Sequence, residues 1–236
     1  MRSRSMLALL ALTGFAVPAT AQQPAAAPDS RPGVAVFQFE NGGSIGLKDP
    51  ADVAGLQRGF AAMLISELKA NDAWRLVERE EIQKLVDEQN LGSSGRVDPQ
   101  TASKIGKVVG ARYDVTGTFI YAGGTWRLDI RLINGETSEI MKTESASGPQ
   151  DKVFGLIADV AQRLMKDANL PPLPKDVATQ RMSRQVPTEA LTFYSRALLY
   201  HDRGNKEKAV EMYKAAIAAF PEYTEAQEGL KKEQQG

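Results

Sequence analysis

The chain has 236 residues, with 29 basic and 29 acidic side chains and a formal net charge of zero. This balance gives no overall field that would attract nucleic acid or an anionic membrane. No cysteine is present, which excludes disulfides, cysteine-based metal sites, thiol nucleophiles and the lipidated cysteine of a bacterial lipoprotein anchor.

The N-terminus has the pattern of a secretory signal peptide. Arg2 and Arg4 supply the positive start, Met6–Val17 is the apolar core, and Ala19–Ala21 is a small-x-small cleavage site. The apolar run is shorter than a bilayer span requires. We therefore predict export to the periplasm with cleavage after Ala21, the alternative being an uncleaved N-terminal anchor.

The first structured segments are predicted to be a strand and a helix. Residues 22–32 form a polar, Pro/Ala-rich leader that we expect to be disordered. Val34–Phe39 alternates apolar with small or polar residues, as a strand does. Residues 41–50 are predicted to form a loop. This loop leads to a helix that starts at Asp49 or Asp52 and runs to about residue 70.

A short strand and two helices are predicted next. Arg75–Glu78 has the composition of a strand, and the helix after it carries Ile82, Leu85 and Val86 on one side. A polar loop separates this helix from a third one, which opens at Asp98-Pro99.

Three strands linked by hairpins and a closing helix complete this part of the chain. The links are short and rich in glycine, and one contains Asn134-Gly135, a strong hairpin signal. The middle strand alternates charged with apolar residues, which predicts one solvent-exposed face and one buried face. The predicted ranges are 113–121, 126–133 and 140–147 for the strands and 151–168 for the helix.

The predicted order is βαβααβββα, which defines an α+β class. We expect a two-layer or three-layer-like α/β sandwich, with helices on one face of a mainly antiparallel or mixed sheet. This domain is predicted to span residues 33–169, and a proline-rich linker over residues 170–188 follows it.

Residues 189–236 show a second pattern. Counted from Ala190, small and aromatic residues occupy eight positions that are typical of a tetratricopeptide repeat. Arg196 stands where the repeat usually has leucine, and Thr224–Lys232 is predicted to be a capping helix. The eight matching residues are Phe193, Ala197, Tyr200, Gly204, Ala209, Tyr213, Ala216 and Pro221.

A single repeat cannot bury both of its faces, so we expect it to dock on the main domain, on a partner or on another copy. In the usual concave face, positions 2, 5, 9 and 12 would contact a peptide. These positions are Leu191, Tyr194, Leu198 and His201. The alternative is that the same side chains pack against the main domain.

Catalytic chemistry has little support in the sequence. His201 is the one histidine and is expected to lie at a helix end. Glu78, Glu80 and Glu81 fit the acidic first turn of a helix better than a pair of catalytic carboxylates. The glycines near residue 43 match no phosphate-binding motif. We predict no catalytic, cofactor or metal residues, and no nucleic-acid partner.

Three stretches of sequence resemble the CsgG family, the periplasmic domain of curli secretion components, which is akin to the N-terminal domain of TolB. They are VAVFQFEN at Val34–Asn41, RLVEREEIQKLVDEQ at Arg75–Gln89 and VDPQTASKIGKVVGARYDVTGT at Val97–Thr118. The resemblance implies a periplasmic α+β domain that works without catalysis and self-associates. The hairpin links are too short to hold membrane-crossing strand pairs, so no pore is expected.

The predicted function is therefore a non-enzymatic periplasmic protein of cell-envelope assembly or secretion. It would act as a docking or scaffold module for an envelope protein or peptide, with neither a pore nor a lipid anchor. The alternative is a periplasmic small-ligand-binding or regulatory domain, for example an activator of a cell-wall synthase.

Overall fold

The computed structural model describes residues 29–88 and 97–235. The predicted signal peptide, the first part of the predicted leader and most of the polar loop before Asp98 lie outside the described residues. The described residues from Arg31 onwards form one compact unit. The predicted division into a main domain, a linker and a repeat stays a prediction about which parts fold independently.

Six strands and eight α-helices follow one another in the part of the chain that the structure describes. They are β1 (Gly33–Val36), β2 (Glu40–Ser44), α1 (Pro50–Leu68), β3 (Arg75–Leu76), α2 (Arg79–Glu88), α3 (Pro99–Val108), β4 (Tyr113–Ala122), β5 (Thr125–Asn134), β6 (Ile140–Pro149), α4 (Val153–Asp167), α5 (Lys175–Ser183), α6 (Thr188–Asp202), α7 (Lys206–Ala219) and α8 (Thr224–Gln235). The α+β class is confirmed.

Strand β2 lies where a loop was predicted. It has the sequence ENGGS, which shows no apolar alternation, and it forms because it runs parallel to β4. Glu40 pairs with Thr118, and the register shifts between Asn41 and Gly43. A strand that forms because of pairing with a neighbouring strand cannot be predicted from its local hydrophobic pattern.

The sheet is mixed, in agreement with the prediction. Its strand order is β3-β1-β4-β5-β6, and β2 also pairs with β4. The first three strands run parallel to their neighbours, whereas β4, β5 and β6 form antiparallel hairpins. These hairpins close at the short glycine-containing links that the sequence predicted.

Helices cover both faces of the sheet, so the prediction of helices on one face is wrong and the three-layer form is the correct one. Val34 and Val36 of β1 belong to the cluster under α1 and α4, while Ala35 and Phe37 belong to the cluster under α2 and α3. Successive strand residues point to opposite faces. A strand that is apolar at every position is therefore buried on both sides.

The larger cluster is centred on Phe60 of α1. Its ring lies 5.8 Å from that of Phe39, 5.0 Å from that of Phe119 and 5.2 Å from that of Trp126, measured between ring centroids. These aromatic contacts join α1 to β4, β5 and the segment between β1 and β2. The helix is thereby held across the middle of the sheet.

The C-terminal helices begin after a run of prolines. Pro174 immediately precedes α5, which occupies part of the predicted linker, and Pro187 precedes α6. Helices α6, α7 and α8 cover the residues of the predicted repeat, while membership of the tetratricopeptide class stays a prediction. Within residues 29–88 and 97–235, no helix combines the length and apolar character that a bilayer span needs.

We expect Phe60→Ala to lower the free energy of unfolding by about 3–5 kcal/mol, because it leaves a cavity among three aromatic rings. Urea denaturation followed by circular dichroism measures this change. Val108→Ala, at a side chain that is 67% exposed, is the control and should change stability by less than about 0.5 kcal/mol. Equal effects of the two substitutions would contradict a core centred on Phe60.

Candidate functional site

The most closely packed contact between the main domain and the C-terminal helices joins α1 to α6. Gly55 and Gly59 lie one turn apart on α1 and face Ser195 of α6. A Cβ atom on Gly59 would lie 2.0 Å from Ser195 Oγ, and one on Gly55 would lie 2.9 Å from the Ser195 carbonyl carbon. Only glycine permits this approach, so α1 lies directly along the side of α6.

This contact places the predicted groove residues inside the protein. Leu191, Tyr194 and Leu198 are only 1%, 6% and 6% exposed, and they belong to the same buried cluster as Leu56 and Phe60 of α1. Their contact with a partner peptide stays a prediction. In the structure they pack together with α1, which was the alternative expectation.

His201 is the fourth predicted groove residue, and it lies at the edge of this interior. Its Nδ1 is 2.5 Å from Glu233 Oε1 of α8. The interaction joins the end of α6 to α8. The position of His201 in the last turn of α6 agrees with the expected position at a helix end, and its contact with a peptide stays a prediction.

The neighbouring residue, Asp202, connects three helices. Its side chain is almost fully buried, and it accepts a hydrogen bond from Arg58 Nε of α1 at 2.6 Å. Arg79, the first residue of α2, donates to both of its carboxylate oxygens at 2.9 and 3.0 Å. Bidentate arginine–carboxylate pairs are strong and have a fixed geometry. Burial opposes the charge of Arg79, but Asp202 more than compensates and raises the pKa of the guanidinium.

Arg196, which departs from the repeat pattern, has a partner in the main domain. Its Nε lies 2.5 Å from Asp52 Oδ1, and its Nη2 lies 2.6 Å from Asp49 Oδ2. Asp49 also caps α1 by accepting from the Ala51 amide at 2.8 Å. An arginine at this position therefore suits a helix that packs against the acidic start of α1.

A second ion pair ties α5 to α8. Arg184 donates to both oxygens of Glu225 at 2.5 and 2.6 Å, and its guanidinium lies over the rings of Phe154 and Tyr223. Ser66 of α1 donates to the same carboxylate at 2.8 Å. Burial alone would raise the pKa of Glu225, but the bonds and charge of Arg184 lower it to about 2. This contribution to stability is complete above about pH 4.5 and is lost as the pH falls towards 2.

A cavity of about 130 Å³ remains between α1, the start of α2 and the C-terminal helices. Burial raises the pKa of the Tyr194 and Tyr213 hydroxyls, so both stay protonated and can donate hydrogen bonds. The cavity is large enough for one side chain or a very small ligand. Lining residues include Ile65, Glu78, Glu80, Tyr194, Tyr213 and Lys232.

The acidic cluster of the sequence lies at the start of α2. Glu80 and Glu81 lie in the first turn of α2, as predicted. Burial raises the pKa of Glu80, but Arg79 outweighs this effect and the net shift is downward. A general acid would need the opposite shift. Among the described residues, no group of three His, Asp or Glu side chains could hold a metal ion.

Gly55, Gly59 and Asp202 were not among the residues predicted from the sequence. The spacing Gly-x-x-x-Gly within α1 was the available signal, because it places two side-chain-free positions on one face of a helix. Asp202 carried no such signal, since its partners lie 144 and 123 residues away.

The fold is a three-layer α/β arrangement around a mixed sheet, extended by the C-terminal helices α5 to α8. Residues 16–125 match the family model described as "Curli production assembly/transport component CsgG". This is the family that the sequence resembles, and the match confirms the resemblance over these residues. The match fits a protein associated with the cell envelope. No curated protein matches the chain.

Several solved structures are similar to part of the chain. The LpoB C-terminal domain from Salmonella enterica is 18% identical, with 50% of this chain and 83% of that one covered and a TM-score of 0.40. TolB from Acinetobacter baumannii is 15% identical, with 62% and 30% covered and a TM-score of 0.41. The PelC dodecamer from Paraburkholderia phytofirmans is 13% identical, with 58% and 88% covered and a TM-score of 0.32. The chain spans less than a third of the TolB chain, and similarities of this size carry no conclusion about function.

We expect Asp202→Ala to reduce the free energy of unfolding by about 3–5 kcal/mol, because it leaves two largely buried arginines without their carboxylate. Chemical denaturation gives the value. Asp159→Ala removes an exposed pair with Arg163 on α4 and should cost less than about 0.5 kcal/mol. A cost for Asp202→Ala no greater than that of the control would show that the buried pair adds no stability.

Arg196→Leu restores the residue that tetratricopeptide repeats usually have at this position. We nevertheless expect it to destabilise the protein by about 1 kcal/mol, since Asp52 and Asp49 lose their cation. Arg196→Lys keeps the charge and should recover part of the loss, as measured by thermal and urea denaturation. A more stable leucine variant would overturn this assignment.

Proposed function

We propose that the protein is a non-enzymatic component of cell-envelope assembly or secretion, acting as a docking or scaffold module and forming no pore itself. The observation that carries this proposal is the match of residues 16–125 to a family of curli assembly and transport components. Export to the periplasm, with cleavage after Ala21, is part of the proposal. Self-association is a further part, which mass measurement of the purified protein tests.

In this proposal the main domain and the C-terminal helices act as one rigid docking module and not as two domains joined by a flexible linker. Glycine packing and buried ion pairs hold the C-terminal helices on α1. Such contacts favour a single arrangement of the two parts. A partner would then meet a surface whose components have a set geometry, which reduces the entropy lost on binding.

Leu191, Tyr194, Leu198 and His201 have a different role in this proposal from that of a free peptide groove. They support the contact with α1, so a partner peptide at the same four residues would require α1 to move out first. The free energy of peptide binding would have to offset the loss of the glycine contact and of the Asp202 ion pairs. We therefore propose that partners first meet the outer surface of the assembled body.

The alternative is a small-ligand-binding or regulatory domain, for example an activator of a cell-wall synthase. One observation favours a small ligand, namely the cavity with tyrosine and charged side chains beside α1. A thermal-shift screen with nucleotides, sugars and metal ions tests it, because a ligand that binds the folded state raises the Tm.

The docking proposal predicts that cross-linking in cells that make the protein captures a defined envelope protein, and that the purified pair forms a complex of fixed stoichiometry. Leu198→Ala should lower the free energy of unfolding by about 2–5 kcal/mol and reduce capture only to the extent that it unfolds the protein. Met182→Ala, at an exposed side chain on α5, is the control for stability.

Two results would contradict this account. Full loss of capture by a Leu198→Ala protein that retains its Tm would place the partner in the groove. Stabilisation by a small molecule, with no protein captured in the envelope, would favour the alternative function.

A further inference from the structure

Strand β4 carries a carboxylate in the interior of the protein. Asp114 is 0% exposed, and the hydroxyl of Ser103 on α3, which is also buried, is the side-chain donor near its oxygens. The two side chains are not aligned for a hydrogen bond of ordinary geometry. Buried polar atoms are nearly always paired, so the arrangement under α3 needs a physical explanation.

Helix α3 lies directly over this carboxylate. A Cβ atom on Gly106 would be 2.0 Å from Asp114 Oδ1, and one on Gly135, after β5, would be 3.3 Å from Oδ2. Any side chain at Gly106 would thus displace either the helix or the carboxyl group. The absence of a side chain brings the backbone of α3 against Asp114.

The surroundings offer little compensation for a negative charge. The cross-strand neighbours of Asp114 are Ala35 on β1 and Ile133 on β5, neither of which titrates. The residues that α2 buries, Ile82 and Val86, are apolar. Among the described residues, Lys107 of α3 is the charged group that acts on the carboxyl.

The position along α3 disfavours the anion as well. Gly106 and Lys107 belong to the second half of the helix, near the end where its carbonyl groups carry partial negative charge. Burial raises the pKa of Asp114 to about 7, with Ser103 and Lys107 opposing the rise. The neutral acid has one hydroxyl to donate, and the nearby Ser103 Oγ can accept it.

We propose that Asp114 is a pH-sensitive latch for α3. As the neutral acid it lets the helix lie flat on the sheet. As the carboxylate it is an interior charge that Ser103 and Lys107 offset only in part, so α3 must move away for water to hydrate it. Helix α3 is the element that yields, because it and α2 cover the smaller of the two apolar clusters. The change would expose the sheet surface around β4 above neutral pH.

The direction of the pH dependence follows from the two states of the carboxyl group. In the unfolded chain it titrates near its ordinary value of 3.8, and in the folded protein it titrates near 7. Its contribution is therefore most favourable below about pH 4, weakens as the pH rises to about 7, and is constant above that.

The test compares the full-length protein with its Asp114→Asn variant between pH 4.5 and 8.5. We expect the Tm of the variant, relative to wild type, to rise by about 5–10 °C across this range. Asp129→Asn is the matched control, since Asp129 lies on the open face of β5 and is paired with Arg127. The hydrogen bonds of Arg127 lower the pKa of Asp129, so this variant should gain no stability at high pH.

Hydrogen exchange of the α3 amides locates the effect. In the wild type we expect α3, compared with β5, to lose protection between pH 5.5 and 8 after correction for intrinsic rates, and Asp114→Asn should abolish this loss. If Asp114→Asn does not fold, Asp114→Val replaces it, because valine suits a strand and carries no charge. Unchanged α3 protection in the wild type, or a Tm difference that is the same at pH 5 and pH 8, would overturn the proposal.

Discussion

The arrangement of the whole protein depends on the absence of side chains at Gly55 and Gly59. With any larger residue there, α1 could not approach Ser195. The C-terminal helices would then no longer pack closely on the main domain. The same approach brings Arg58 within reach of Asp202. One steric constraint thus determines both the packing of α6 and the ion pairs around it.

The ion pairs near this contact act more on specificity than on total stability. A buried carboxylate costs free energy to desolvate, and its guanidinium partners largely offset this cost. What the pairs add is selection of one arrangement, since a shifted helix would leave Asp202 or Glu225 without its arginine. Arg184 illustrates this, because its guanidinium binds Glu225 and also lies over Phe154. The three helices α4, α5 and α8 are therefore aligned by a single side chain.

The two faces of the sheet differ in the kind of side chain that the long strands bury. On the side of α1 and α4, aromatic residues such as Phe60 and Trp126 fill the space. On the side of α3, strand β4 buries the carboxyl group of Asp114. A buried ionisable group makes the stability of the layer that covers it depend on pH. This difference makes the α3 layer the natural place for a conformational response to pH.

Local patterns in the sequence were sufficient for the class of fold, the hairpins after β4 and the helix that starts at Asp49, because period, turn residues and caps act within a few residues. They could not show β2, which is held by β4, or the helices on both faces of β1. Nor could they show that α1 covers the groove side of α6. That contact joins residues about 140 positions apart, such as Arg58 and Asp202. Only the tertiary structure brings them together, since long-range contacts depend on shape and burial that no local window of sequence contains.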